Sequence, residues 1–352
     1  MRWRGTGLPA LLALLALGPA PAAAASLPVL TYNVAGLPLG LSGSDPGVNH
    51  ALISPLLNPY DLVAVQEDFG FHDDLTSRLT HPHRSVKDAG FGEGIYAITD
   101  DPAAVLDPAR LGDGLNRFAR APFREHTRVL WDDCFGILTH GSDCLAPKGF
   151  SFARHELLPG AFVDVYNLHA DAGGADPDLA ARRANLRQLA DFITATSGDR
   201  AVLVLGDTNS RYTRAGDILP ELLATAGLAD VWVELARGGA PPAPGTPALQ
   251  ACAVDPASGS CEVVDKILFR SGDGVTLTPV DYVVPPEFVD AAGDPLSDHL
   301  PVGAVFDVAF VPEPGPGVLG ILGGLALGGL AALRRRAGAG PPAAACARRR
   351  IG

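Results

Sequence analysis

Two short apolar runs decide the fold class of this chain: Phe162-Val-Asp-Val-Tyr-Asn-Leu-His169 and Ala201-Val-Leu-Val-Leu-Gly-Asp207-Thr-Asn209. Runs of this length that are rich in β-branched residues are typical of buried strands. Between them, residues 177–196 carry apolar side chains at helical spacing. Asp176 is the expected N-cap of this helix, and Pro177 occupies its first position. A strand, a helix and a second strand in this order indicate an α/β protein.

The same strand pattern recurs outside this stretch. Pro28-Val-Leu-Thr-Tyr-Asn33 and Asp61-Leu-Val-Ala-Val-Gln-Glu67 precede it. Strand-like segments without intervening helices follow it at residues 263–269, 280–284 and 302–308. We therefore predict a single α/β domain in which two mixed β-sheets pack face to face.

The N-terminus carries a targeting feature. Arg2 and Arg4 precede an apolar run at residues 8–17, and small residues follow as far as Ala25. A charged start, a short apolar run and a small-residue exit are typical of a secretory signal peptide. We therefore predict a signal peptide at residues 1–25 and a mature domain that begins directly after it.

A second targeting feature lies at the C-terminus. Pro312-Glu-Pro314 is followed by the uncharged run 315–333 and by three arginines at 334–336. The run is about long enough to span a bilayer, and the arginines mark its cytoplasmic side. The pattern resembles the PEP-CTERM sorting signal of Gram-negative bacteria, which implies transient anchoring in the inner membrane and cleavage by an exosortase-type protease. An ordinary single-pass anchor is the alternative, and both interpretations predict an exported, extracellular or cell-surface protein.

The predicted division of the chain is 26–312 for the folded domain, 313–336 for the sorting helix with its basic cluster, and 337–352 for a disordered tail.

The composition argues against an extended nucleic-acid substrate. The chain has 27 basic and 39 acidic residues, a net charge of −12. Omitting Arg2, Arg4, Glu313 and the six arginines after residue 333 leaves 19 basic and 38 acidic residues, so the domain carries a charge near −19. Affinity for a phosphate backbone comes from Lys and Arg that displace counterions, which this balance does not favour.

Four of the five cysteines fall into two close pairs. Cys134 and Cys144 are ten residues apart, Cys252 and Cys261 are nine apart, and Cys346 lies beyond the sorting helix. In an oxidising compartment, one local disulfide within each pair is the simplest connectivity. A zinc site is the alternative, although the cysteines lack close Cys-x-x-Cys spacing and nearby histidines.

Glu67 is the main candidate metal ligand. A carboxylate at the end of a buried strand is costly unless it is paired or bound to a cation, and Mg²⁺ takes one or two carboxylates together with water and substrate phosphate. Asn33 ends the preceding run and is expected to add either a neutral ligand or a hydrogen bond to Glu67. We therefore predict a divalent-cation site, with Mg²⁺ as the expected ion and Mn²⁺ or Ca²⁺ as alternatives.

Three further polar residues follow predicted strands. Asp207 and Asn209 lie two positions apart after Gly206, so on extended backbone their side chains face the same way. An acceptor and an amide donor that point together are suited to aligning an attacking water and a phosphoryl oxygen. His169 ends its own run and can donate to a phosphoryl oxygen as charge grows in the transition state.

Asp298 and His299 stand side by side before the last apolar run. The unperturbed pKa of a histidine lies close to working pH, so His299 is the predicted general base. A base histidine needs a carboxylate that orients it. Because neighbours on extended backbone point oppositely, Asp298 is expected to face the metal, and Asp265 is the better candidate for holding His299.

Taken in order, these residues resemble the endonuclease/exonuclease/phosphatase superfamily, also called the DNase I-like fold. The matching motifs are Thr-Tyr-Asn33-Val, Val-Gln-Glu67, Asn-Leu-His169, Gly-Asp207-x-Asn209, Asp265-Lys-Ile and Ser-Asp298-His299. Within the superfamily, residues 31–38 and Lys148-Gly149-Phe150 resemble secreted neutral sphingomyelinase-type phosphodiesterases. The resemblance implies a four-layer α/β sandwich with helices outside the two sheets.

The resemblance also implies an activity. The leading hypothesis is a secreted, monomeric, Mg²⁺-dependent phosphodiesterase that hydrolyses a phospholipid head group or a similar small phosphoester by in-line attack of water. The alternatives are an extracellular DNase I-like endonuclease and a binding scaffold that keeps the fold without activity. The implied roles are Mg²⁺ binding for Asn33 and Glu67, phosphate contact for His169 and Asn209, orientation of the nucleophile for Asp207, and proton abstraction from water for His299 with Asp265 behind it.

Overall fold

The computed structural model describes residues 23–37, 45–88, 112–136, 140, 143–144, 146–246 and 261–311. The strands in this part of the chain are β1 (Ala23–Asn33), β2 (Leu62–Gln66), β3 (His83–Arg84), β4 (Asn116–Ala119), β5 (Phe123–Leu130), β6 (Gly149–Leu158), β7 (Ala161–His169), β8 (Ala201–Asp207), β9 (Ala229–Asp230), β10 (Asp265–Arg270), β11 (Val275–Val283) and β12 (Val302–Phe310). The helices are α1 (Pro46–Leu56), α2 (His72–Thr76), α3 (Asp176–Ser197), α4 (Leu219–Ala226) and α5 (Val231–Ala236).

The described strands form two six-stranded sheets, which we call sheet A and sheet B. Sheet A has the order β11-β12-β1-β2-β4-β3, and sheet B has the order β5-β6-β7-β8-β10-β9. In sheet A, β1 runs parallel to β2, and in sheet B, β7 runs parallel to β8. The other described pairings are antiparallel, so both sheets are mixed. Each parallel pair brings two strand ends to the same edge of its sheet.

The two sheets pack face to face through alternate side chains of their strands. Val29, Leu203 and Val302 belong to the apolar layer between the sheets. Their neighbours Leu30 and Val204 point to the outer faces, where they join separate apolar clusters. Burial on both faces explains why the central strands have continuous apolar sequences.

Helices cover both outer faces. Ile53 of α1 and Leu75 of α2 pack against sheet A, while Leu189 of α3 and Leu222 of α4 pack against sheet B. Together the two sheets and the helices make four layers. The predicted architecture, two mixed sheets packed face to face with helices outside, is confirmed.

Helix α3 begins one residue earlier than predicted. Its N-cap is Ala175, so Asp176 lies in the first turn and is not the cap. The carboxylate of Asp178 accepts a hydrogen bond from the backbone N–H of Ala175 at 2.8 Å. A carboxylate in the first turn favours the helix, because it lies near the positive end of the helix dipole.

The cysteine pairing is partly visible. Cys134 and Cys144 form the predicted disulfide, with their Cα atoms 5.4 Å apart, so this pair is not a zinc site. Cys261 is also disulfide-bonded, and its predicted partner Cys252 lies outside the described residues.

The targeting segments lie mostly outside the described residues. Of the predicted signal peptide at residues 1–25, residues 23–25 are described, and they begin β1 and pair with β12. The predicted sorting segment at 313–336 and the predicted tail at 337–352 are not described. No helix within the described ranges is long and apolar enough to cross a membrane.

We expect the fold to lose stability in mild acid because of a histidine buried between the sheets. His155 is fully buried, and burial, with the nearby charge of Arg117, holds its pKa well below 6.5. The unfolded chain takes up a proton near pH 6.5 and the folded chain does not. The contribution of His155 to stability is therefore constant above pH 6.5 and falls by about 2 kcal/mol by pH 5.

The measurement is the free energy of unfolding in urea at pH 7.5 and pH 5. His155→Asn removes the titrating group, so its loss between the two pH values should be smaller than the loss of the unaltered chain by about 2 kcal/mol. An equal loss in both proteins would contradict the prediction.

Candidate active site

A layer of buried polar side chains separates the apolar core from the site. Gln66 Nε2 donates to Thr31 Oγ1 at 3.1 Å and to Asn167 Oδ1 at 2.7 Å. Asn167 Nδ2 in turn donates to the carbonyl of Val65 at 2.9 Å. These bonds join sheet A to sheet B at the edge where the parallel strands end, and a fully bonded buried network of this kind is rigid.

Glu67 follows β2 at this edge. Its backbone has a φ of 57°, a left-handed conformation that is unfavourable for a residue with a long side chain. Gly36 provides the room, because a Cβ there would lie 2.3 Å from the carbonyl oxygen of Glu67. The carboxylate accepts a hydrogen bond from Asn33 Nδ2 at 3.0 Å. Burial raises the pKa of Glu67 and outweighs the positive charges of Lys148 and His299, so this carboxylate would gain from a further cation.

Asp207 ends β8 and lies at the centre of the site. Its Oδ2 atom is 3.3 Å from Nδ2 of Asn33 and 3.3 Å from Nε2 of His169. Asn209 donates its backbone N–H to Oδ1 at 2.8 Å and its side-chain amide to Oδ2 at 3.2 Å. Burial raises the pKa of Asp207 despite the attraction of His299. The predicted residues of three separate strands thus meet around one carboxylate.

Lys148 also belongs to the site, although the sequence indicated it only through the family resemblance of residues 148–150. Its Nζ atom contacts the carboxylate of Asp143 and lies 3.0 Å from Nε2 of His169. Burial lowers the pKa of Lys148, but the attraction of Asp143 and Glu67 is larger and the net shift is upward. Burial and the charge of Lys148 together hold the pKa of His169 well below 6.5. The site therefore contains a charged lysine beside a neutral histidine.

We expect Lys148→Met to lower kcat/KM about 100-fold, which is the size of the loss when one preorganised electrostatic group is removed. The matched variant is Asp143→Asn, which breaks the same ion pair and keeps the lysine charge. Both variants should melt earlier, because each leaves one buried partner unpaired. If Lys148 only supports the fold, the two variants will lose activity equally; if its charge serves the site, Lys148→Met will lose more.

His299 and Asp265 form a hydrogen-bonded pair. His299 Nδ1 lies 2.9 Å from Asp265 Oδ2, and Nε2 lies 3.7 Å from Asp207 Oδ2. When Nδ1–H donates to Asp265, Nε2 is the atom that can accept a proton. The pKa of His299 departs from the ordinary value of a histidine. Burial lowers it, but the attraction of Asp265 and Asp207 is larger and the pKa stands well above 6.5.

Asp298 and His299 line an open cleft of about 550 Å³ that also reaches Asn209 and Asp265. Asp298 is exposed at the rim, with Oδ1 3.4 Å from Ser297 Oγ. Its negative charge adds to the upward shift in the pKa of Glu67. The cleft is therefore the open side of the buried site, where a substrate has access to His299.

The carboxylates at this opening fit a divalent cation. Glu67 has a raised pKa and Asp298 repels it, so a cation held by both would relieve that repulsion. Asn33 points its amide nitrogen at Glu67, and its Oδ1 accepts from the backbone N–H of Ala35 at 3.1 Å. Of the two roles left open for Asn33, this arrangement is that of a hydrogen-bond donor to the ligand carboxylate.

A second grouping could also attract a cation. Asp207, Asp265 and His299 each offer a ligand atom within 4.8 Å of the others. However, the hydrogen bond between His299 and Asp265 already uses two of the three side chains. A cation bound at this grouping would have to displace that hydrogen bond.

Comparison with known sequences gives relatives of one type. No family model matches the chain. It is 36% identical over 278 residues to a sphingomyelinase of Mycobacterium tuberculosis (strain ATCC 25618 / H37Rv), an alignment that covers 78% of this chain and 51% of that protein. A sphingomyelinase of Mycobacterium bovis (strain ATCC BAA-935 / AF2122/97) matches to the same extent. The chain thus spans about half the length of the curated relatives it matches.

Solved structures share the fold. A beta toxin from Staphylococcus aureus superposes with a TM-score of 0.52 at 19% identity, over 79% of this chain and 99% of that one. A mutant of beta toxin with bound magnesium ions gives 0.52 and 19%, over 80% and 99%. D. rerio TDP2 complexed with single strand DNA product gives 0.52 and 17%, over 80% and 98%. The two mixed sheets with their outer helices are therefore the DNase I-like α/β fold.

Proposed function

We propose that this chain is a divalent-cation-dependent phosphodiesterase of the sphingomyelinase type, which hydrolyses the phosphodiester of a phospholipid head group. One observation carries the proposal: Glu67, His169, Asp207 and His299 meet at the edge where the two parallel strand pairs end. The opening thus holds a carboxylate that gains from a bound cation, polar groups that can contact phosphate oxygens, and a histidine paired with a carboxylate. Hydrolysis of a phosphoester requires these groups.

Each residue has a role in this proposal. Glu67 and Asp298 would hold Mg²⁺, which when bound supplies positive charge that stabilises the phosphoryl oxygens. His299 Nε2 accepts a proton from the attacking water, and Asp265 keeps the imidazole oriented.

The remaining residues position the phosphate and the water. Asn209 and His169 are the expected contacts of the phosphoryl oxygens, and Lys148 supports them with its charge. Asp207, which already accepts hydrogen bonds from Asn33 and Asn209, orients the nucleophilic water.

Three observations support this choice of substrate and metal. The relatives at 36% identity are named sphingomyelinases, and a structural neighbour contains magnesium ions. The DNA-bound neighbour, at 17% identity, shares only the fold, and the domain's charge near −19 opposes binding of a polyanion.

The test is hydrolysis by the purified chain of bis-p-nitrophenyl phosphate, sphingomyelin, phosphatidylinositol 4-phosphate and plasmid DNA, each with Mg²⁺ and with EDTA. We expect release of p-nitrophenol and cleavage of a phospholipid head group in Mg²⁺, neither in EDTA, and intact DNA. Nucleotide release without phospholipid cleavage would establish the endonuclease alternative. No hydrolysis of any substrate would leave the scaffold alternative.

We also infer that the protein is exported. The support is the predicted signal peptide at residues 1–25 together with the disulfide between Cys134 and Cys144, a bond typical of oxidising compartments. The PEP-CTERM-like segment would make an exosortase-type protease its processing partner. Mass measurement of the protein recovered outside producing cells tests cleavage at both ends, and a protein retained in the cytoplasm would contradict export.

A further inference from the structure

The cleft beside His299 contains two arginines with different surroundings. Arg214 is committed to the fold: its Nε donates to Asp217 Oδ2 at 2.7 Å, and another of its nitrogens contacts the carbonyl of Asn209. The side chain of Arg211 makes no hydrogen bond or ion pair with any described residue, although its Nε is buried. Both arginines line the cleft, so Arg211 presents an unused cation there.

The carboxylate of Asp217 does not neutralise the guanidinium of Arg211. Asp217 accepts from Arg182 Nε at 3.1 Å, from Arg214 Nε at 2.7 Å and from the backbone N–H of Arg211 at 2.8 Å. Its two oxygens are thus occupied by two guanidinium groups and one backbone N–H.

An acidic residue that lines the cleft is also committed to other contacts. Glu262 lines the cleft next to Arg211, but its carboxylate is buried and contacts the backbone N–H of Tyr212. It also accepts from Thr213 Oγ1 at 2.7 Å. These bonds hold the loop that carries Arg211, and they leave the guanidinium without a partner among the described residues.

We propose that Arg211 is an anion-binding subsite for a second acidic group of the substrate, a phosphate or carboxylate carried by the alcohol attached to the scissile phosphate. The inference rests on the proposed function and narrows its substrate class. A guanidinium binds phosphate and carboxylate through paired N–H groups. A choline head group is instead held by the rings of Trp, Tyr or Phe, and none of these three residue types occurs among the described residues that line the cleft.

The test is competitive inhibition of bis-p-nitrophenyl phosphate hydrolysis by three small phosphates in excess Mg²⁺. 3-Phosphoglycerate carries a phosphate and a carboxylate, glycerol 3-phosphate is its near-isostere without the carboxylate, and phosphocholine carries a cation. We expect 3-phosphoglycerate to bind about 10- to 100-fold more tightly than the other two, the range of one charge-assisted hydrogen-bonded pair. Equal inhibition constants, or tighter binding of phosphocholine, would overturn the proposal.

Variants assign the preference to the residue. Arg211→Gln should abolish the preference for 3-phosphoglycerate while the affinity for glycerol 3-phosphate stays the same, and Arg211→Lys should keep part of it. Arg183→Gln is the matched control, because it removes an equal charge from α3 outside the cleft, and it should keep the full preference. An unchanged preference in Arg211→Gln would refute the subsite. A parallel loss of glycerol 3-phosphate affinity would show that Arg211 binds the scissile phosphate instead, which also refutes it.

The proposed function and this inference can fail separately. If the chain does not hydrolyse bis-p-nitrophenyl phosphate, the proposed function fails, and calorimetric titration with the same three phosphates still measures the preference. If hydrolysis occurs and the preference is absent in the unaltered chain, only the subsite fails.

Discussion

Glu67→Gln is expected to lower kcat at least about 1,000-fold and to abolish Mg²⁺ binding, while leaving the fold intact. The reason is the position of this carboxylate. Burial raises its pKa, and the hydrogen bond from Asn33 holds it toward the opening. The amide of glutamine has the same shape but no charge, so it cannot replace a carboxylate as an Mg²⁺ ligand.

Two measurements separate this role from a structural one. Calorimetric titration with Mg²⁺ should show binding to the unaltered chain and none to Glu67→Gln. The melting temperature should change by less than about 3 °C, because the substitution removes a charge that burial already disfavours. Glu221→Gln, at an exposed carboxylate on α4, is the control and should match the unaltered chain in both measurements. A large drop in melting temperature with Mg²⁺ binding retained would instead assign Glu67 a structural role.

The edge at which these residues meet was predictable because it depends on periodicity and chain order alone. Asn33, Glu67, His169 and Asp207 each end or follow an apolar run, and the runs that end on them form the two parallel pairs. Alternation along each strand then places the polar ends on the face between the sheets. The sequence also supplies glycines where the backbone needs room, as Gly36 does beside Glu67.

Other features depend on contacts that have no local pattern. Lys148 is far in sequence from Glu67 and adjoins His169 only because β6 pairs with β7. Whether Asn33 offers oxygen or nitrogen to Glu67 depends on the backbone N–H of Ala35, which occupies its oxygen. The guanidinium of Arg211 has no ion-pair partner among the described residues because other donors occupy the carboxylate of Asp217. These contacts are visible only in the structure.

The pKa of His299 shows why charge is the hardest property to predict from sequence. The imidazole takes its environment from Asp265 on β10 and Asp207 on β8, so two distant segments determine its protonation. Asp265 was predicted from the sequence as the partner of His299. The combined effect of Asp265 and Asp207 on the pKa of His299 was not predicted. The result is an imidazole that holds its proton more tightly than that of an isolated histidine.

His299→Gln is therefore expected to lower kcat/KM by about 100- to 10,000-fold, the range attributed to one general base. The loss should be similar at all pH values at which the unaltered chain is active, because the titrating group is gone. His83→Gln removes a histidine of β3, outside the site, and is the matched control for loss of an imidazole; it should retain full activity.

The pH profile of Asp265→Asn distinguishes a base from a merely structural histidine. His299 acts as a base only when it is deprotonated, so activity rises as the pH increases through its pKa. Asp265 raises that pKa, and its replacement by a neutral amide must lower it. The acidic limb of kcat/KM should therefore lie above pH 6.5 in the unaltered chain and move to lower pH in Asp265→Asn. Total activity should fall, because the imidazole loses its orienting partner. An acidic limb that stays in place would mean that another group titrates, and His299 would lose its role as the base.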